Sequence, residues 1–178
     1  MVLEKVGDIN WPKRLKPEVQ PDESTCGIIS VGLLLKSRGI SVPFEELVAI
    51  LGNTWWGTEI ANIENYLQAP HLRQHFVVSR NNTLHDMTRE LSQGKIVMFD
   101  AQAHWGTKAD KADMSAGHYA VAYAIDQRKR LRIFDSGCYG GHRKYDGLNA
   151  FPASELDELW IDSNLQNQIV RGWMATTR

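Results

Sequence analysis

The chain has 178 residues, 43% of them hydrophobic and 23% charged, which suits one ordinary globular domain with a sizeable core. A formal net charge of −1 removes the electrostatic case for nucleic acid or an anionic membrane, and RKRLR at 128–132 is too short to restore it. No apolar run approaches the ~20 residues of a membrane span, and MVLEKVGDINWPKRLKP has neither the apolar core nor the cleavage site of a secretory signal.

The default expectation is therefore a cytoplasmic protein, with signal-independent export left open. There is no repeat, low-complexity segment or Gly/Ser linker, so residues 1–178 are expected to form a single domain. Residues 1–19 read as an irregular or extended lead-in, where Pro12 and Pro17 discourage a helix. The first helix should begin near Ser24 or Thr25, either of which can cap its free N–H groups, and stop at Gly39. It carries Ile28, Ile29, Val31, Leu33, Leu34 and Leu35, apolar on most sides, and is expected to be central.

A second helix is expected in VPFEELVAILG, with Pro43 at its first turn and Gly52 at its end. A third fits TEIANIENYLQ, where Ile60, Ile63 and Leu67 share a face. RQHFVVS is a strand candidate. TLHDMTRELSQG reads as a helix with Thr83 as cap, Asp86 at the capping-box position and Gly94 as stop.

The period then changes. KIVMFDA, GHYAVAYAIDQ and RLRIFDS are short and rich in β-branched or aromatic residues, and read as strands. A tight turn at Gln127–Lys129 joins the last two. Residues 101–116 are a polar insertion, either a lid or specificity loop or a plain surface loop. SELDELWID suggests a short helix and QIVRGWMAT a last strand. Helices first and strands later imply an α+β fold, with a helical half packed on a mostly antiparallel sheet.

Two cysteines, Cys26 and Cys138, are too few for a disulfide framework, and no paired Cys/His spacing suggests a metal site. Cys138 and His142 resemble half of such a site with no second half. Cys26 stands where a polar turn, QPDEST, becomes an apolar helix. A thiolate there is stabilised by unpaired backbone N–H groups and the helix dipole. Its general base would be His118, which opens the strand GHYAVAYAID. If that strand pairs with RLRIFDS in a hairpin, Asp135 at the end of the second lies beside His118 at the start of the first. Asp135 would then orient the imidazole. Gln20, six residues before Cys26, can offer its side-chain NH2, with the Cys26 N–H, to an oxyanion.

In this order, Gln20, Cys26, His118 and Asp135 resemble the papain-like cysteine peptidases. Among them it looks most like the bacteriocin-processing (double-glycine leader) peptidases and their standalone relatives. It rests on QPDESTCG, LLLKSRGISVPFEEL, LSQGKIVM, GHYAVAYAID, RIFD and SELDELW, and so spans most of the chain from Gln20 onward. The likeness implies a papain-like fold, with the nucleophile at the N-terminus of a central helix. It also implies peptide-bond hydrolysis through a Cys-His-Asp triad, a peptide or protein substrate and no cofactor. The chain departs from that family in having Ile28 and Ile29 soon after Cys26-Gly27, and Ser136 after the aspartate in place of proline. Trp55 and Trp56, Trp105 in the insertion, and Gly117 beside His118 are candidate substrate contacts. The same triad also serves transglutaminases, deamidases and acyltransferases, and a non-enzymatic peptide-binding module is the remaining alternative.

Overall fold

The computed structural model describes residues 6, 7, 10–16, 18–102, 117–137, 148–154, 156, 160–163 and 169–178. Five helices are described: α1 (Trp11–Arg14), α2 (Cys26–Lys36), α3 (Phe44–Leu51), α4 (Ile60–Leu67) and α5 (Leu84–Ser92). The strands are β1 (Val6–Gly7), β2 (Phe76–Ser79), β3 (Val97–Gln102), β4 (Gly117–Ile125), β5 (Arg130–Phe134), β6 (Leu148–Pro152), β7 (Ile161–Ser163), β8 (Ile169–Arg171) and β9 (Met174–Thr177).

The main sheet runs β2-β9-β3-β4-β5-β6, with β1 added to the far end of β4, and every pairing is antiparallel. This is the α+β architecture expected from the order of elements. The central strands β3 and β4 are mostly apolar and buried along almost their whole length, because both faces are covered. From β3, Met98 faces a core shared with α2, α3 and α4, whereas Val97, Phe99 and Ala101 face Met87 and Leu91 of α5. Nine of the eleven residues of α2 are buried, which makes it the central helix that its composition predicts. It closes with N–H groups of Gly39 (φ +73°) and Ile40 bonded back to the Lys36 and Leu35 carbonyls. α4 buries Ile60, Ile63 and Leu67, the three residues its spacing put on one face.

Four expectations are corrected. The lead-in holds one helical turn, α1, because Pro12 sits in its first turn, where no N–H partner is needed, and its β1 pairs with β4. Thr25 precedes α2, but its side chain makes no capping hydrogen bond; the hydroxyl lies 3.4 Å from the Asp22 carbonyl instead. The last strand is two strands. Gly172 (φ +52°) breaks it, and a Cβ there would sit 2.2 Å from the Asn82 carbonyl oxygen. The chain turns at that contact, so β8 pairs with β7 and β9 enters the main sheet between β2 and β3. Of the late helix, Ala153, Ser154 and Leu156 are helical, while Ile161 and Asp162 belong to β7. Among the described residues, no helix is long and apolar enough to cross a membrane.

Candidate active site

Strand register assembles one half of the site. β4 and β5 pair as Val121↔Phe134 and Ala122↔Ile133. Continuing that register sets Asp135 opposite Ala120, diagonal to His118 and on the same face. The two meet as expected: His118 Nε2–H donates to Asp135 Oδ1 at 2.8 Å. Both side chains are fully buried. The same carboxylate oxygen accepts the Gly137 N–H at 2.8 Å. The bond to Asp135 uses Nε2, and the Cys26 thiol acts on the same imidazole, each shifting the other's pKa.

The other half comes from α2. Cys26 is its first residue and is 5% exposed. Burial alone would push the thiol pKa up. The hydrogen bond and charge of His118, with backbone hydrogen bonds from Tyr119 and Gly27, outweigh burial and hold it below its ordinary value. Burial likewise works against the imidazolium, yet Asp135 and Cys26 push the His118 pKa up to about 10. Both shifts favour a thiolate–imidazolium pair at neutral pH.

Gln20 lies against the sheet half. Its N–H donates to the Ser136 carbonyl at 3.1 Å. Its Oε1 accepts from the Ser136 hydroxyl at 2.9 Å, and its Nε2 donates to the Asp22 carbonyl at 2.7 Å. Asp22 Oδ1 in turn accepts from the Ser24 N–H and hydroxyl, both at 2.8 Å, which folds the turn before α2.

Trp55 and Trp56 sit at the tip of a tight turn closed by paired Thr54 and Gly57 backbone bonds of 3.0 Å. Neither enters the core: they are 79% and 57% exposed, with ring centroids 3.5 Å apart. The turn is tied to the segment before Cys26 by Asn53 Nδ2, which donates to Ser24 Oγ at 2.8 Å. Gly117 stands at the start of β4, paired with Gln102. Trp105, His104, Cys138 and His142 lie outside the described residues. Among the described residues, no cluster of His, Cys, Asp and Glu could hold a metal ion.

Three residues around the site, Tyr119, Thr58 and Ser30, are given no role in the sequence reading, and a fourth, Ser136, stands there only as a departure from the family pattern. Tyr119 packs its ring edge-on to Trp173, with centroids 5.9 Å apart, and donates its hydroxyl to the Thr58 carbonyl at 3.0 Å. Ser30 Oγ donates to the Tyr119 carbonyl at 3.2 Å, pinning α2 to β4. The fourth, Ser136, holds Gln20. Two signals were available. Tyr119 must face away from its neighbour His118 on a strand, and Ser30 is a lone hydroxyl in an apolar helix one turn beyond Cys26.

A scan against protein-family models finds no match, and no curated protein matches significantly. Solved structures do match. A protein from Bacillus anthracis described as a C39-like peptidase aligns over 98% of both chains, at 13% identity and a TM-score of 0.70. A double-glycine-motif protease from an AMS/PCAT transporter, solved in complex with the leader peptide, covers 92% of both chains at 14% identity and TM-score 0.57. The peptidase domain of Streptococcus ComA, a bifunctional ABC transporter involved in a quorum-sensing pathway, is 16% identical with a TM-score of 0.58. That match covers 90% of this chain and 95% of the domain. The chain therefore has the papain-like fold of these C39-like peptidases, as the resemblance implied.

Proposed function

We propose that the chain is a cysteine peptidase that cleaves a peptide bond through a Cys26-His118-Asp135 triad. The observation that carries this reading is the placement of His118. It is fully buried, hydrogen-bonded to Asp135 at 2.8 Å, and interacts with the thiol at a helix N-terminus, whose pKa it lowers. The Cys26 thiolate attacks the scissile carbonyl carbon, and the carbonyl electron pair moves to oxygen. The Cys26 N–H and Gln20 Nε2 donate to that oxyanion. As the intermediate collapses, the His118 imidazolium protonates the departing amine and leaves a thioester. His118 then takes a proton from water, which attacks the thioester and frees the carboxylate and the thiol. Asp135 holds the ring throughout.

The substrate is a peptide, and the exposed Trp55–Trp56 turn tied to the Ser24 loop is the surface beside the scissile bond. The test is incubation with a mixed peptide library, with mass-spectrometric reading of new termini, beside Cys26→Ala. Cleavage lost in Cys26→Ala is expected. Ammonia release without new termini would instead make the chain a deamidase or transglutaminase, and no reaction in either protein would leave only a peptide-binding role.

A further inference from the structure

We infer that Ser136 is a positioning residue for the oxyanion donor, orienting the Gln20 side-chain amide through its hydroxyl. The inference rests on the acyl-transfer reading above and assigns a role to a residue outside the triad. A carbonyl oxygen can only accept, so the end of the Gln20 amide 2.7 Å from the Asp22 carbonyl must be the NH2. The other end is Oε1, and the Ser136 hydroxyl 2.9 Å away must donate to it. The amide cannot flip without setting oxygen against oxygen at Asp22. One Nε2 hydrogen is used on Asp22, and the second is left to donate to the oxyanion. Donation into Oε1 also polarises the amide and strengthens its N–H groups as donors.

Both partners are buried, Gln20 at 8% and Ser136 at 3% exposed, so water does not substitute readily for a lost partner. The backbone bond from Gln20 N–H to the Ser136 carbonyl, 3.1 Å, survives any side-chain change. Ser136→Ala therefore removes one interaction only. Three successive residues then serve the site together: Asp135 orients the base, Ser136 orients the oxyanion donor, and the Gly137 N–H fixes the Asp135 carboxylate.

Two thiol reagents separate this role from a structural one. Iodoacetamide alkylates the thiolate by displacing iodide, with no oxyanion. With p-nitrophenyl acetate, Cys26 Sγ bonds to the acetyl carbon through a tetrahedral oxyanion, and the C–O bond breaks to release p-nitrophenolate. Cys26 acylation is followed by intact mass and by the nitrophenolate burst. Ser136→Ala should slow acylation by about 10-fold while leaving alkylation within about twofold, and Ser136→Thr should restore most of the rate. Gln20→Ala should slow acylation by roughly 10- to 1,000-fold, and adding Ser136→Ala to it should change little. If Ser136→Ala slows both reagents alike, or slows neither while Gln20→Ala slows acylation, the role of Ser136 is refuted and that of Gln20 stands. If Gln20→Ala is silent, the oxyanion assignment and the role of Ser136 fall together. A wild-type chain that is alkylated but never acylated at Cys26 overturns the acyl-transfer reading itself.

Discussion

Helices α2 and α5 both start immediately after a threonine, and their first turns are finished in opposite ways. At α5 the cap is local and complete. Thr83 Oγ1 accepts the Asp86 N–H at 3.3 Å, and Asp86 Oδ2 accepts the Thr83 N–H at 3.0 Å. At α2 the threonine side chain caps nothing, and the Gly27 backbone is among the groups that hold the Cys26 thiol pKa down. The structure supports that turn from afar, through Ser30 on Tyr119 and Gln20 on Ser136. A helix that only has to fold can satisfy its own N-terminus. A helix that holds a thiolate keeps its N–H groups for the sulfur and is anchored by the sheet.

The largest effect expected is at His118, the sheet residue on which the α2 terminus depends. His118→Ala should lower kcat/KM on any cleaved peptide by about 10³-fold or more. It should also remove what opposes burial at the thiol. In the wild type, iodoacetamide labelling of Cys26 should persist below the ordinary thiol range and fall only as acid protonates the depressed thiolate. On the alkaline side, turnover should fall as pH rises toward about 10, where the imidazolium loses its proton. In His118→Ala the acid limb should move up, to the ~8.5 of a free cysteine or above it. Asp135→Asn should cost less than Asp135→Ala, because an amide oxygen can still accept from Nε2. An unmoved limb in His118→Ala would mean that α2 stabilises the thiolate alone, and the contrast with α5 would then not involve the sheet.

The parts of this arrangement that were legible in the sequence are those set by short-range pattern. The α5 cap lies within four residues. The His118–Asp135 pair follows from a hairpin with a tight turn, which converts separation along the chain into adjacency. The unreadable parts depend on elements far apart in the chain. Nothing local to Thr25 shows that the thiol which follows it has its pKa held down by His118, on a strand far along the chain. The break at Gly172 comes from its close approach to Asn82, ninety residues away, which only a residue without a Cβ allows. Ser136 looks like loop material beside Gly137, and only the approach of Gln20 gives it a partner.

The anchoring of α2 can be sharpened with its two glycines. A Cβ on Gly27 would meet Thr58 Cβ at 3.0 Å and Tyr119 Cδ2 at 3.1 Å, both held by the bond between the Tyr119 hydroxyl and the Thr58 carbonyl. A Cβ on Gly32 meets nothing closer than a Leu47 methyl at 3.6 Å. Gly32→Ala should therefore stabilise the protein by about 0.5–1 kcal/mol through helix propensity. Gly27→Ala should destabilise it by about 1–2 kcal/mol, as overpacking does. It should also lower acylation of Cys26, since relief of the clash moves the helix away from β4. Thermal melting and the nitrophenyl ester burst read the two effects. A stabilising Gly27→Ala would show that α2 is loosely held at its Cys26 end.

The smallest effect separates the two threonines directly. Valine keeps the shape of threonine and removes its hydroxyl. At Thr83 that hydroxyl accepts the Asp86 N–H and donates to Asp86 Oδ2 at 2.7 Å, so Thr83→Val should cost about 1 kcal/mol, the usual value of a lost cap. The exposed position means that no packing is changed. At Thr25 the side chain is buried, and its hydroxyl lies against Asp22, 3.4 Å from the carbonyl and near enough to the carboxylate to lower its pKa. Thr25→Val should therefore cost no more than about 0.5 kcal/mol, because little hydrogen bonding is lost and the added methyl replaces a poorly bonded polar group. Urea unfolding at constant slope gives both values from the shift in midpoint. Equal losses at the two positions would mean that Thr25 caps α2 in solution. The first-turn N–H groups would then be partly committed to the threonine, and the low thiol pKa would have to come from His118 with little help from the helix.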